Sequence, residues 1–348
     1  MSIYENEKYR ADLEYVCELD LPWNRLEDKT VMISGATGLI GSCLIDVLMY
    51  KNISCKIVAL GRNGDKAKNR FSYCWNSEKF RFIQHDVNMP FSKHELDNVD
   101  YVLHLASNTH PMQYSMDPIG TITTNIIGIQ NMLEYAADNK VIRCAFASSN
   151  EIYGENRGDI EKFDERYCGY IDCNTLRAGY PESKRCGEAL CQAYIRQKDL
   201  DIVIPRLTRS YGPTLLSNDT KALSQFIHKG INGEDIVLKS EGTQYYSYLH
   251  VIDSVSGLIT VLLNGKCGEA YNISDEKSDI RLKDLAKIIA KYSGTKVVFE
   301  LPDEVERAGY SMATKARLDN RKIKELGWSA KYDIEKGIIS TLNIIKEI

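Results

Sequence analysis

The chain has 348 residues, 43% of them hydrophobic and 26% charged, with a formal net charge of −4. Those values suit an ordinary globular protein and argue against nucleic acid or an acidic membrane as the main partner. No apolar run reaches the roughly 18 residues of a membrane-spanning helix, and the polar start "MSIYENEKYR" is unlike a signal peptide. The cysteines are scattered, with no CxxC pair and no histidine at ligand spacing. They predict reduced thiols, no metal site and a cytoplasmic location.

In chain order, residues 1–28 read as an N-terminal helical extension. "TVMISGATGLIG" then reads as a buried strand from Thr30 to Ser34, a glycine turn, and a helix running through "SCLIDVLMYK". Further strands are expected in "CKIVALG" (55–61), "FRFIQHDV" (80–87) and "VDYVLHLAS" (99–107), followed by a helix over 118–139. "IRCAFASS" and "LDIVIPRLT" add two more strands, with a helix over about 180–198 between them. Strands alternating with helices predict an α/β protein with a Rossmann-type, doubly wound parallel sheet. After Tyr211 the pattern loosens into helices such as "RLKDLAKIIAKYSG" with short strands around them, which predicts a smaller C-terminal α/β lobe. The expected boundaries are 29–210 for the Rossmann domain, with 236–262 returning to it, and 211–235 plus 263–348 for the lobe.

Gly35, Gly38 and Gly41 fall between the first strand and its helix. Glycines there let the backbone approach a pyrophosphate, and the helix N-terminus offers free N–H groups and positive potential. The context predicts a dinucleotide. The end of the second strand selects which one: an acid binds the ribose 2′-OH of NAD, whereas an arginine suits the 2′-phosphate of NADP. Here "LGRN" puts Gly61 at the acid's place with Arg62 next, which favours NADP(H) over NAD(H).

In "AGYPESKR", Tyr180 and Lys184 are spaced i, i+4, on one face of a helix. Beside an ammonium and an oxidised nicotinamide, a phenol pKa is expected to fall. Such a tyrosine moves a proton as hydride moves. Ser149, in "ASSNEIYG", is placed to hydrogen-bond the same oxygen.

Over roughly residues 30–345 the sequence resembles the extended short-chain dehydrogenase/reductases, the NAD-dependent epimerase/dehydratase family. The motifs are "GATGLIG", "HLAS" (104–107), "NIIGIQNMLE" (125–134), "SSNEIYG" (148–154), "YPESK" (180–184), "RLTRSYGP" (206–213), "HVID" (250–253), "GEAYNIS" (268–274) and "LDNRKIKELGW" (318–328). The resemblance implies a catalytic set of Ser149, Tyr180 and Lys184, with Lys184 also holding the nicotinamide ribose. It implies cofactor contacts from Gly35, Thr37, Gly38, Leu39, Ile40, Gly41, Arg62, Asp86, Val87, Leu105, Ala106, Ser107 and Asn125, besides Tyr180 and Lys184. The implied substrate is a sugar on a nucleoside diphosphate, bound between the Rossmann domain and the lobe, and the implied assembly is a homodimer.

Within the family, "HLASNTHPMQYSMDPIGTITTNIIG" and "SSNEIYG" look most like UDP-glucuronate decarboxylases and dTDP-glucose 4,6-dehydratases. Glu151 matches the catalytic glutamate of those enzymes. The aspartate that helps a dehydratase expel the C6 hydroxyl is replaced by Asn150, and an amide cannot donate that proton. Two positions of the family's diphosphate site also differ: Arg209 replaces an asparagine and Tyr246 replaces an arginine. Arg209 is expected to supply the missing charge from the other side of the cleft, with Arg317 as a second phosphate contact. The NADP signal favours net reduction of a keto group on a nucleotide-activated sugar or ketose. The alternative is a redox-neutral decarboxylase, 4,6-dehydratase or epimerase. A non-enzymatic dinucleotide-binding protein is disfavoured by the intact Ser149, Tyr180 and Lys184.

Overall fold

The computed structural model of the protein describes residues 2–91, 98–109, 114, 116–217, 219–300 and 314–348. Short Val- and Ile-rich runs form strands covered on both faces: β1 (Thr30–Ser34), β2 (Lys56–Gly61), β3 (Phe80–Gln84), β4 (Tyr101–His104), β5 (Arg143–Phe146), β6 (Ser148–Ser149) and β7 (Ile202–Leu207). Seven later strands follow. They are β8 (Arg209–Tyr211), β9 (Ile236–Leu238), β10 (Tyr245–His250), β11 (Ala270–Ile273), β12 (Asp279–Arg281), β13 (Val297–Phe299) and β14 (Lys315–Ala316).

The main sheet has eight strands in the order β11-β7-β5-β4-β1-β2-β3, with β6 also paired to β7. Its pairings are all parallel, as in Val31 opposite both Ile57 and Tyr101. The winding reverses between β1 and β4, and in such sheets ligands bind in the crevice beyond the carboxyl ends of the strands at that reversal. This is the expected Rossmann-type architecture. The helices around it are α1 (Glu7–Cys17), α2 (Leu39–Lys51), α3 (Gly64–Arg70), α4 (Pro118–Asp138) and α5 (Gly179–Lys198). The rest of the chain adds α6 (Ala222–Ile231), α7 (Val251–Asn264), α8 (Leu282–Ser293), α9 (Arg321–Lys324) and α10 (Ile334–Glu347).

Strand pairing moves two of the expected boundaries. β9 does not return to the main sheet; it pairs with β13 in a two-stranded sheet of the lobe. β11, expected in the lobe, closes the edge of the main sheet beside β7, with Ala270 opposite Ile204. From 236–262, Leu249 of β10 and the part in α7 share the core of the main sheet. That helix is buried all round and sits in the same core as β7 and β11. Its polar residues Asp253, Ser256 and Thr260 are buried too, with Ser256 accepting from Trp328 Nε1 (2.9 Å) and Asp253 from Lys331 N (2.6 Å).

The N-terminal residues are helical and packed. Tyr9, Leu13, Val16 and Cys17 turn one face of α1 into the core shared with α2. Between these helices lies a buried polar cluster on Asp46. Its carboxylate accepts from Tyr9 Oη (2.7 Å) and Tyr73 Oη (2.7 Å), and it pairs with both Nη atoms of Arg70. The Tyr4 ring stacks flat on Tyr73, with centroids 3.7 Å apart.

Candidate active site

The glycine turn takes its shape from two close approaches. Gly35 has φ +69°, and a Cβ there would lie 2.8 Å from the Ala106 backbone nitrogen. A Cβ on Gly41 would lie 2.3 Å from the Gly35 carbonyl oxygen. Gly38 begins α2 with no side-chain cap, so the first N–H groups, at Leu39, Ile40 and Gly41, are free for an anion. Thr37 lies within the same turn. Gly41→Ala is expected to cost about 1–3 kcal/mol of stability through overpacking and to weaken dinucleotide binding. Thermal unfolding and NADH titration check both; an unchanged variant would mean that the turn has room to spare.

At the end of β2, Arg62 is exposed, and Asn63 caps α3 by accepting from Lys66 N (2.8 Å). After β3, Asp86 accepts from Asn88 N (3.0 Å), while buried Val87 is held through its carbonyl by Asn131 Nδ2 (2.8 Å). After β4, the backbone N–H groups of Leu105 and Ala106 both donate to Ser34 Oγ (3.2 Å each), which bonds His104 Nδ1 (2.9 Å). These bonds draw the ends of β1 and β4 together beneath the crevice.

A buried relay leads from there to the tyrosine. Ser107 Oγ donates to Asn125 Oδ1 (2.7 Å), Asn125 Nδ2 donates to Ser183 Oγ (3.0 Å), and Ser183 Oγ donates to the Tyr180 carbonyl (2.9 Å). Tyr180 and Lys184 are both buried on α5. Hydrogen bonding to Ser149 and Ser107 lowers the phenol's pKa. Burial and the Glu151 carboxylate outweigh them and push it up to about 12. Burial is the largest cause of that rise; the expected fall belongs to the state with an oxidised nicotinamide beside the phenol. Lys184 Nζ donates to the Ala147 carbonyl (2.8 Å) and lies over the Phe146 ring. Burial brings it down to about 7.

Glu151 follows Ser149, whose Oγ accepts from the Glu151 N–H (3.2 Å); buried Asn150 lies between them. Both Glu151 oxygens accept from Arg177 Nη2, at 2.8 Å each. Arg177 was not anticipated from the sequence. It sits in the short turn leading into α5, its guanidinium lies 4.8 Å from the centre of the Tyr114 ring, and Tyr114 stacks on Tyr180 at 5.0 Å. Its Nη1 is buried and has no hydrogen-bond partner among the described residues. The only sequence signal was a cation three residues before Tyr180. Part of the motif around Tyr114 lies outside the described residues.

Arg209 and Tyr246 meet, though not across the cleft. β8 and β10 are neighbours, with Arg209 opposite Tyr248, and the Arg209 guanidinium lies 3.7 Å from the centre of the Tyr246 ring. The arginine therefore stands beside the expected position, on the adjacent strand. Like Arg177, it has a buried Nη1 with no hydrogen-bond partner among the described residues. Burial and the Glu151 carboxylate hold the Tyr114 phenol well above its ordinary value, and the Arg177 and Arg209 charges oppose that rise. Arg317 follows β14, where it lies over the Tyr245 ring and pairs with Glu161 (2.9 Å). It is thus already engaged by a carboxylate.

Comparison with known proteins gives the family and the fold. The model of the NAD dependent epimerase/dehydratase family matches residues 31–274. The chain is 31% identical to UDP-glucuronic acid decarboxylase 1 of Xenopus tropicalis over 324 residues, 92% of this chain and 72% of that protein. It is 32% identical to UDP-glucuronic acid decarboxylase 3 of Arabidopsis thaliana over 312 residues, 88% of this chain and 86% of that one. In fold it is similar to UDP-glucuronic acid 4-epimerase from Bacillus cereus in complex with NAD. That match has a TM-score of 0.76 and 22% identity, covering 91% of this chain and 99% of the other.

Proposed function

Because the chain belongs to the NAD dependent epimerase/dehydratase family, we propose that it is a redox-neutral enzyme that decarboxylates a nucleoside-diphosphate-linked hexuronic acid, with NAD as the hydride carrier. The β1–α2 turn would hold NAD, which would supply hydride transfer at carbon C4 of the sugar, while Tyr180 would take the proton of the C4 hydroxyl, assisted by Ser149 and Lys184. The resulting β-keto acid loses CO2, leaving its electron pair in a C4 enolate. A proton from solvent would then go to C5, and Tyr180 would return its proton to O4 as C4 is reduced again.

The observation that carries this reading is the Glu151–Arg177 pair beside Tyr180. A 4,6-dehydration needs a free carboxylate to take the C5 proton and an acid at position 150 to expel the C6 hydroxyl. Here both Glu151 oxygens are engaged by Arg177, and position 150 is an amide. Loss of CO2 requires neither. Arg177 Nη1 is a donor suited to the sugar's carboxylate, and Arg209 on its Tyr246 platform to the diphosphate. The relatives named above are decarboxylases and an epimerase of glucuronic acid, which supports the same substrate class.

The test is incubation of the enzyme with UDP-glucuronate and NAD, following CO2, the sugar product and NADH absorbance together. The expected result is catalytic conversion with no net NADH. Stoichiometric consumption of reduced cofactor, with no CO2, would overturn it.

One observation favours a second reading, the NADPH-dependent keto reduction suggested by the sequence: β2 ends in Gly61–Arg62, with no acid for a ribose 2′-OH. On that reading Arg62→Ala weakens NADPH by roughly 10- to 150-fold and NADH little. Equal weakening of both in a binding titration removes it. We place the enzyme in the cytoplasm as a homodimer. Its ten cysteines are free thiols. Ile119, Ile122 and Ile127 lie exposed along α4, a face that a second copy would cover. No described helix is long and apolar enough to cross a membrane.

A further inference from the structure

We propose that residues 2–17 form a positioning clamp for the adenosine end of the dinucleotide site, acting through Tyr4 and Tyr9 on the Asp46–Arg70–Tyr73 cluster. This rests on reading the β1–α2 turn and the Gly61–Arg62 loop as that site.

Two elements shape the adenosine end: the start of α2 and the loop from β2 into α3. The loop has little hold of its own. Arg62 and Asn63 are exposed, and Asn63 is already the cap of α3, so wherever α3 sits, Arg62 follows. α3 has seven residues and buries only Ala67. A helix that short is not stable by itself and takes its place from tertiary contacts.

The polar contacts of α3 are at its far end. Arg70, the last residue of α3, binds the Asp46 carboxylate on α2, and Tyr73 just beyond donates to the same group (2.7 Å). Beside the apolar packing of Ala67, Phe71 and Cys74 in the core they share, the polar tie between α2 and α3 is one buried carboxylate. Two further contacts to that tie come from the N-terminal residues. Tyr9 donates to Asp46 Oδ2 (2.7 Å), and Tyr4 covers Tyr73 with its ring 8° from parallel. The N-terminal residues are themselves fixed. Ser2 and Glu5 bond each other's backbone around Tyr4, and Asn6 caps α1 while donating to Glu347 (2.9 Å). None of these groups lies in the crevice, so they act through α3 as positioning residues.

The test titrates the full chain with NADH and NADPH, and measures its unfolding temperature, for wild type, Tyr4→Ala and Tyr4→Phe. Tyr4→Ala is expected to weaken both dinucleotides by roughly three- to thirtyfold, the range for residues coupled to a site without touching it. Tyr4→Phe keeps the stack and is expected to bind as wild type. If Tyr4→Ala unfolds earlier yet binds both dinucleotides as wild type does, the clamp is purely structural and the inference fails. A wild-type chain that binds neither dinucleotide removes the premise instead. Should Tyr4→Ala not fold, Tyr73→Phe takes its place; it keeps the ring and removes only the hydroxyl on Asp46, and unchanged affinity there is equally decisive.

Discussion

Tyr180→Phe is expected to lower kcat by about 10²–10⁴ while dinucleotide affinity stays within about twofold, the loss typical of a missing acid–base group. The substitution keeps the ring and its stack on Tyr114 at 5.0 Å, so packing is preserved and only the hydroxyl is lost. That hydroxyl is fully enclosed, and the protein holds it as a neutral acid by pushing it up to about 12. Lys184, brought down to about 7 by the same burial, is close to losing its charge at neutral pH. The two groups thus respond oppositely to one cause, and positive charge arriving beside them favours the phenolate. Ser149→Ala is expected to cost less, about 10²-fold, because a hydrogen bond to the reacting oxygen is lost while proton transfer survives. Single-turnover kinetics on the proposed substrate measure both. A Tyr180→Phe variant with wild-type kcat would sink the assignment.

Asp46→Asn is expected to destabilise the fold by about 3–5 kcal/mol, the cost of stripping one partner from a buried ion pair. The carboxylate is fully buried and serves Tyr9, Tyr73 and Arg70 together. An amide keeps the shape, but it leaves the Arg70 guanidinium uncompensated and turns an N–H₂ group toward hydroxyls that need an acceptor. Urea unfolding should show the midpoint fall with the slope unchanged, because the surface exposed on unfolding is the same. A shift below about 1 kcal/mol would put this pair with ordinary surface salt bridges.

The parts of this protein that were legible in the sequence are those governed by local rules. A Val-rich run before a glycine turn, and a helix with Tyr180 and Lys184 one turn apart, depend on neighbours close in the chain. Ser149, Asn125 and Ser107 could be placed from their motifs, and the structure gathers them around Tyr180. What stayed hidden depends on distant partners. β11 reads as any short strand, and only its pairing with β7 puts it in the main sheet. Arg177 lies 26 residues from Glu151, and nothing in the spacing announces the pair. Arg209 looked like a group from across the cleft because sequence cannot tell that β8 and β10 are adjacent. The extent to which burial raises the Tyr180 phenol was not legible, because residues distant in the chain enclose it.

The place of β11 also constrains how the chain is made. The sheet's edge strand is encoded after β8, β9 and β10, so a ribosome must emit Ile273 before β7 gains its outer neighbour. At about 5–20 residues per second, the interval between finishing β7 and finishing β11 lasts several seconds. Throughout it β7 presents an unpaired edge, the kind of surface that recruits strands from other chains. Slowed translation between Thr208 and Glu269 would therefore lower soluble yield more than the same delay after Ile273, even though it leaves the finished protein unchanged.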